Sequence, residues 1–273
     1  MKTQMSLKDR TAVVTGAASG IGRGLAQALA RRHCHLALVD INEPGLEQTA
    51  GIVSAPGLRV SSHLLDVANP DAVARFPGAV RSNHPGVDLL FNNAGVALSG
   101  SFEQVSEADF DWLFEINFSG MVRMTRAFLP LLKDSNDARL VYTSSVFGLI
   151  GPPGQAAYVA SKFAIRGFAE TLRHELEGTS IGISVVHPGG VATTIGDNAR
   201  SSIHQSAEEI EQGKAAWKKM LVMPPQTAGE IIVRGVEQRN ARILVGKDAK
   251  LIDLVARLAP AKYWKILMKL FPA

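Results

Sequence analysis

Short runs of Val, Leu, Ile and Ala recur along the chain. Between them lie longer stretches in which apolar residues return every three or four positions. The runs occupy 12–15, 36–40, 60–66, 87–92, 140–144, 183–187 and 243–245. Several are apolar throughout instead of alternating, which predicts parallel strands covered on both faces. The intervening segments predict helices over 21–31, 43–53, 70–81 and 155–177. Asn42 and Asn69 stand where N-caps belong, and Pro70 takes a first helical position. Ser106, followed by Asp109, opens a further helix. Strand and helix alternate, so the pattern predicts α/β architecture: a single doubly wound domain over 1–273, with a seven-stranded parallel sheet, helices on both faces and right-handed crossovers. Residues 189–225 break the rhythm after a strand end, where such folds bind ligands, and predict a substrate lid.

Composition narrows the classes. Hydrophobic residues make up 46% of the 273 positions and charged residues 20%, which excludes a disordered chain. The one cysteine, Cys34, excludes an internal disulfide framework and fits a reducing, cytoplasmic compartment. Residues 1–10 contain no apolar core, so no secretory signal is expected, and no run of 18 apolar residues predicts a spanning helix. His33 and His35 flank Cys34, but no second ligand cluster completes a metal site, and none is expected. The net charge of +4 is unevenly placed. Residues 247–273 hold six basic and two acidic residues, and the remainder balances. The body shows no basic stripe with exposed aromatics, so no nucleic-acid partner is expected.

Two motifs carry chemistry. Thr15-Gly16-Ala17-Ala18-Ser19-Gly20-Ile21-Gly22 stands between the first strand and the first helix. Glycines there permit a tight turn, close approach of a pyrophosphate and packing of helix on strand, while the helix N-terminus offers free N–H groups. The second strand ends in Asp40, whose carboxylate suits the ribose hydroxyls of an adenosine and would repel a 2′-phosphate. Neither Ser19 nor Ile41 supplies an offsetting cation, so NAD(H) is expected in preference to NADP(H), on a Rossmann-like fold. The second motif is Tyr158-Val-Ala-Ser-Lys162. Residues four apart share a helix face, and an ammonium near a phenol would lower a pKa that starts near 10. A tyrosine poised this way can exchange a proton with an alcohol or carbonyl oxygen.

With these motifs, the chain over residues 8 to about 246 resembles the short-chain dehydrogenase/reductase family, in the branch with a TGxxxGxG loop and a YxxxK helix. Asn92-Asn93-Ala94-Gly95 resembles the family's NNAG element beside the cofactor cleft, and Asp66-Val67 its adenine-contacting pair. Asn117 and Ser145 resemble its catalytic Asn and Ser; Ser144 is adjacent, but the spacing to Tyr158 favours Ser145. Pro188-Gly189-Gly190-Val191-Ala192-Thr193 resembles its PG motif beside the nicotinamide. The resemblance implies that Gly16, Ser19, Gly20, Ile21, Gly22, Asp40, Asp66, Val67, Asn93, Ala94, Gly95, Tyr158, Lys162, Pro188, Gly189, Val191 and Thr193 hold the cofactor. It further implies that Tyr158 is the acid-base, that Lys162 lowers its pKa and holds the nicotinamide ribose, and that Ser145 stabilises the substrate oxygen. Asn117 would hold a water linking Lys162 to solvent.

The expected activity is NAD-dependent interconversion of a secondary alcohol and a ketone. A non-catalytic NAD(H)-binding sensor or scaffold is the alternative, disfavoured because all four catalytic groups are present. Phe147, Leu149, Ile150 and Pro153, with Ala97 and Leu98 opposite, predict an apolar pocket for a lipid-like, steroid-like or aromatic substrate. Trp112, Phe110 and Phe114 read as helix packing, His187 as a core histidine, and Glu208, Glu209 and Glu211 as a solvated face. The family resemblance implies a homo-oligomer, a tetramer or a dimer, packed through 106–133 and 155–177. Phe114, Phe118, Phe163 and Phe168 there exceed what one buried face needs. In the tail, Leu251, Leu254, Val255 and Leu258 form one stripe, and Tyr263, Trp264, Leu267, Leu270 and Phe271 a second beyond Pro260. The tail is expected to bury this apolar face on protein, a neighbouring subunit or the substrate cleft, in preference to a peripheral contact with membrane.

Overall fold

The computed structural model describes residues 4–202 and 204–270. The first strand, β1 (Thr11–Thr15), is buried along its length. It is followed by α1 (Gly20–Ala30), β2 (His35–Asp40), α2 (Glu43–Val53), β3 (Val60–Leu64), α3 (Pro70–Asn83) and β4 (Leu89–Asn92). Asn42 and Asn69 cap α2 and α3 through bonds from the Gly45 and Ala72 N–H groups. The third predicted run overshoots: Leu65 and Asp66 lie beyond β3.

In the second half, β5 (Leu98–Ser99) precedes one long helical rod. The rod comprises α4 (Glu107–Phe114), a π-helical stretch Glu115–Gly120 and α5 (Met121–Lys133). Then come β6 (Ala138–Thr143), α6 (Ala156–Glu175), β7 (Ile181–Pro188), β8 (Arg200–Ser201), α7 (Ala207–Met220), α8 (Pro225–Glu237) and β9 (Arg242–Val245). The chain continues in α9 (Lys247–Leu258) and α10 (Tyr263–Leu270).

Seven strands form one sheet in the order β3-β2-β1-β4-β6-β7-β9, every neighbour parallel. Successive residues of a strand serve opposite faces. Val14 of β1 joins Leu25 and Leu29 of α1 and Ile232 and Val236 of α8. Val13 joins Phe76 of α3, Phe128 of α5 and Ile165 of α6. The order reverses between β1 and β4, which opens a crevice at the strands' carboxyl ends.

Two features depart from the sequence reading. A second sheet pairs β5 with β8, so the start of the expected lid is stitched to the loop after β4. Arg200 strengthens the stitch. Its guanidinium lies 3.8 Å from the Trp112 ring centre, and Nη1 donates to Asp109 Oδ1 at 2.8 Å. The tail departs further. On α9 the expected inward stripe faces out, with Leu251, Leu254 and Leu258 exposed, while Ala249 and Asp253 are buried. Asp253 pairs with Arg242 of β9 and with Arg257, and this ion-pair cluster turns α9 over. α10 does bury Leu267, against the body of its own chain. Phe271 lies outside the described residues. Of the four phenylalanines offered for subunit contacts, Phe114, Phe118 and Phe168 form an edge-to-face series within the chain, and Phe163 is exposed. Among the described residues no helix is long and apolar enough to cross a membrane, and no group of three or more His, Cys, Asp or Glu side chains could hold a metal ion.

Candidate active site

One cavity of about 1740 Å³ runs from the glycine-rich turn, across the crevice, to the C-terminal helices. At its first end the backbone of Gly16 is left-handed, at φ +68°, and a Cβ there would lie 3.0 Å from Ala94 Cα. A Cβ on Gly22 would penetrate the Gly16 carbonyl, so α1 packs directly on the turn. Ser19 precedes α1 without a side-chain cap, which leaves the helix's first N–H groups directed at the cavity. Asp40 braces the turn: its Oδ2 accepts from the Ala18 N–H at 3.0 Å and its Oδ1 from the Asn42 N–H at 3.0 Å. The floor is held by Thr15, whose hydroxyl oxygen accepts from the Asn93 and Ala94 N–H groups at 2.9 and 3.0 Å. Asn93 reaches β1 and β6 together, donating to the Thr15 carbonyl and accepting from the Thr143 hydroxyl.

Nearly all the predicted cofactor residues line this cavity: Gly16, Ser19, Gly20, Ile21, Asp40, Asp66, Val67, Asn93, Ala94, Gly95, Tyr158, Lys162, Pro188, Gly189, Val191 and Thr193. Gly22 does not; it sits beneath the turn as the packing contact just described. A dinucleotide fits the cradle. The turn has no room for side chains, the α1 N-terminus is uncapped, and an acidic group stands at the end of β2.

The reacting groups meet at the other end of the crevice. Tyr158 and Lys162, one turn apart on α6, are 6% and 3% exposed. Lys162 Nζ donates to the Thr143 carbonyl at 3.2 Å and lies 5.4 Å from the Tyr158 ring centre. The Tyr158 hydroxyl hydrogen-bonds the Ser145 side chain. Ser145 Oγ also accepts from the Phe147 N–H at 3.1 Å, which fixes its lone pairs. Ser144 points away: its hydroxyl donates to the Lys162 carbonyl at 2.8 Å.

Burial pushes the Tyr158 phenol up to about 12, and the Ser145 hydrogen bond works against that rise. Burial acts on the ammonium as well and draws Lys162 down to about 8.

Asn117 is buried in the π-helical stretch and does not line the cavity. Its Oδ1 accepts from the Val96 N–H at 2.8 Å, and its Nδ2 donates to the Val96 carbonyl and to Ser161 Oγ. It therefore locks the loop following Gly95 against α6. Gly95 separates Asn117 from Lys162, with a Cβ there falling 3.1 Å from Asn117 Oδ1 and 3.4 Å from Lys162 Nζ. π-turns of this kind commonly mark functional positions.

Three further contributors lie outside the motifs. His187 Nδ1 bonds the Ser145 carbonyl at 3.0 Å, and burial lowers its pKa to about 4. The neutral ring must donate there, as a packed core histidine does. Asp248, at the start of α9, accepts from the Gly190 N–H at 2.7 Å and clamps the Pro188-Gly189-Gly190 turn. Trp264, Leu267, Met268 and Leu270 of α10 line the cavity, as does Trp217 of α7. The clamp carries no local motif, whereas Trp264, Leu267 and Leu270 belong to the apolar tail stripe that the sequence offered for a neighbouring subunit or the substrate cleft.

The sequence profile described as short chain dehydrogenase matches residues 10–204. The chain belongs to the short-chain dehydrogenase/reductase family. It is an NAD(P)-dependent oxidoreductase of this family. SadH of Mycobacterium tuberculosis (strain H37Rv) is 37% identical over 273 residues, with 98% of each chain covered. The crystal structure of a short-chain dehydrogenase/reductase from Burkholderia phymatum, in complex with NAD, superposes with a TM-score of 0.86. It is 29% identical and the match covers 93% of this chain and 95% of that one. An alcohol dehydrogenase of the archaeon Thermococcus sibiricus, complexed with 5-hydroxy-NADP, superposes with a TM-score of 0.72 at 29% identity, covering 86% and 93%. Relatives of this fold thus hold either dinucleotide.

Proposed function

We propose that this chain interconverts a secondary alcohol and a ketone on an apolar substrate, with NAD(H) preferred over NADP(H). The observation that carries the reading is the meeting of Tyr158, Ser145 and Lys162 at one end of a cavity whose other end is the uncapped helix and Asp40. The dinucleotide, when bound, supplies or accepts the hydride. The chain's own residues manage the proton. With its phenol held high, Tyr158 stays protonated at neutral pH and donates to the carbonyl oxygen in reduction; in oxidation it takes the alcohol proton. Ser145, its lone pairs fixed by the Phe147 N–H, donates to the substrate oxygen and stabilises developing negative charge. Lys162, near 8, exchanges protons close to neutrality and is placed to return one to Tyr158. Asn117 shapes the ground around Lys162, where we place the water that renews the proton. The residues between 189 and 225 act as the lid, Asp248 holding its root at Gly190.

Support for NAD(H) comes from the adenosine end. Asp40 faces the cavity there, and the nearby Arg23 guanidinium is engaged by the Ala18 and Gly45 carbonyls, Gln48 and Thr49. A 2′-phosphate would meet the Asp40 carboxylate, and the Arg23 N–H groups beside it are already taken up by these acceptors. Apolar substrates are supported by Phe147, Ile150, Pro152 and Pro153 around Tyr158. We also propose a cytoplasmic homo-oligomer, a dimer or tetramer. The buried Cys34, its thiol pushed up by burial, offers no oxidation-ready site.

Tyr158→Phe tests the mechanism. The substitution removes the proton donor and leaves the ring, so turnover should fall by about 10² to 10⁴ while NADH binding, followed by fluorescence, persists. In the unmodified enzyme, oxidation should rise with pH, because its base is the deprotonated phenol, and reduction should fall only at alkaline pH. A variant retaining a tenth of the activity would remove Tyr158 from the acid-base role.

A further inference from the structure

We infer that α10 is the substrate-selecting wall of the site, and that the substrate carries its alcohol or ketone on an extended apolar skeleton gripped between Trp217 and the Trp264–Leu267 turn. The inference deepens the function proposed above and rests on it. Four observations lead to it.

The first is burial. Leu267 is 4% exposed although it lies three residues from the end of the described chain, and Trp264, Met268 and Leu270 line the same cavity, the last two remaining 42% and 52% exposed. The adjoining α9 turns its leucines to solvent, so a general tendency of the tail to bury apolar residues does not account for this.

The second is registration. The Gly151 N–H donates to the Tyr263 hydroxyl oxygen at 3.0 Å. Gly151 lies in the loop that leaves Ser145, so this latch sets the wall's position relative to the reacting residues.

The third is the lining. From Tyr158 outward the surface passes Phe147, whose ring stands edge-on to both Tyr158 and Trp217 at 6.2 Å. It continues over Ile150 and Ile252 to α10. The charged groups on the cavity wall are Asp40 and Asp66 at the adenosine end, Lys162 at the reacting end, Asp248 bound to Gly190, and Lys219 and Lys247, both of which are exposed. An ionised or strongly hydrated substituent along the aromatic path would lose water without a partner.

The fourth is size. Single-ligand pockets enclose about 300–1,000 Å³. The present cavity, about 1740 Å³, leaves a long second compartment beyond the dinucleotide's cradle.

The test is a homologous series of 2-alkanones and the matching 2-alkanols, from four to twelve carbons, with kcat/KM measured for each. Each methylene that enters the apolar compartment should raise kcat/KM about fourfold until the wall is reached. Trp264→Ala and Leu267→Ala should each flatten that gradient for the longer members, by about tenfold or more at the longest. Tyr263→Phe removes the latch's acceptor without shrinking the wall and should weaken the gradient less. NADH binding by fluorescence should stay within about twofold in all three, because α10 lies away from the cradle. That measurement also certifies that the variants fold.

If the unmodified enzyme turns over the series with no gradient, or the variants keep the same gradient, α10 is not the selecting wall while the alcohol–ketone reading stands. If NADH binds and no member of the series is turned over in either direction, the alcohol–ketone reading itself fails.

Discussion

Asp40 accepts one backbone N–H on each carboxylate oxygen, from Ala18 and Asn42, and still faces the adenosine end of the cavity. One side chain therefore shapes the glycine turn and sets the charge that a ribose meets. Asp40→Ala should weaken NADH roughly tenfold or more, the scale of a lost hydrogen bond to a charged group. It should weaken NADPH less, since repulsion is lost with the bond. Fluorescence titration of both dinucleotides measures the ratio, and tighter NADPH binding by the unmodified enzyme would overturn the assignment. At this scale the sequence was legible wherever a residue acts through its own type and spacing. Asp40, Tyr158 and Lys162 stand where the pattern put them, and Ser145 and not Ser144 faces the phenol. The Tyr158 acidity was not legible: spacing shows that an ammonium is near, but burial, which raises the phenol, depends on the whole surround. His187 and Asp248 act through the backbone of Ser145 and Gly190, and contacts between a side chain and a distant peptide group leave no mark in a linear pattern.

Among the elements, α1 and α8 approach backbone to backbone. A Cβ on Gly24 would overlap the Pro225 carbonyl, and one on Gly229 would overlap the Gly24 backbone. Neither neighbour is a side-chain tip that could swing away. Gly229→Ala should therefore destabilise the enzyme by about 1–3 kcal/mol, the cost of overpacking a filled core. Gly51→Ala is the control, since a Cβ in that interior turn of α2 meets nothing within 4 Å. It should stabilise by up to about 1 kcal/mol. Urea midpoints of the two variants should move in opposite directions, and a neutral Gly229→Ala would show that the helices can part without cost. Periodicity located the seven strands and most of the helices beside them, though not α8, because burial on both faces writes itself into continuous apolar runs. It misplaced the inner face of α9, where the Asp253 pairs with Arg242 and Arg257 outweigh three leucines. It also missed the pairing of β5 with β8, two residues each, too short to carry a period.

For the molecule as a whole, exposed apolar groups outline what a second copy could cover. Phe163 lies 40% exposed on α6, and Leu254 and Leu258 lie 47% and 77% exposed on α9. A homo-oligomer should appear in light scattering at micromolar concentration as a multiple of 29.2 kDa, and Phe163→Arg should lower that mass if α6 forms the contact. A 29 kDa species in the unmodified protein would overturn the assembly.

The all-parallel sheet also governs how the molecule is made. No strand can pair by a hairpin, so each pairing closes a long loop: Thr11 meets His35, Leu89 meets Arg139, and at the sheet's centre Ala12 meets Leu89, 77 residues onward. Loop length costs little in final stability, because closure entropy grows only logarithmically, but distant pairings slow the search. During synthesis β1, β2 and β3 emerge well before β4, and the second edge of β1 waits uncovered until residue 92 has left the ribosome. Recovery from denaturant is then a race between finding β4 within the chain and finding another chain's edge. Refolding yield should accordingly fall as protein concentration rises, even where the native state is stable.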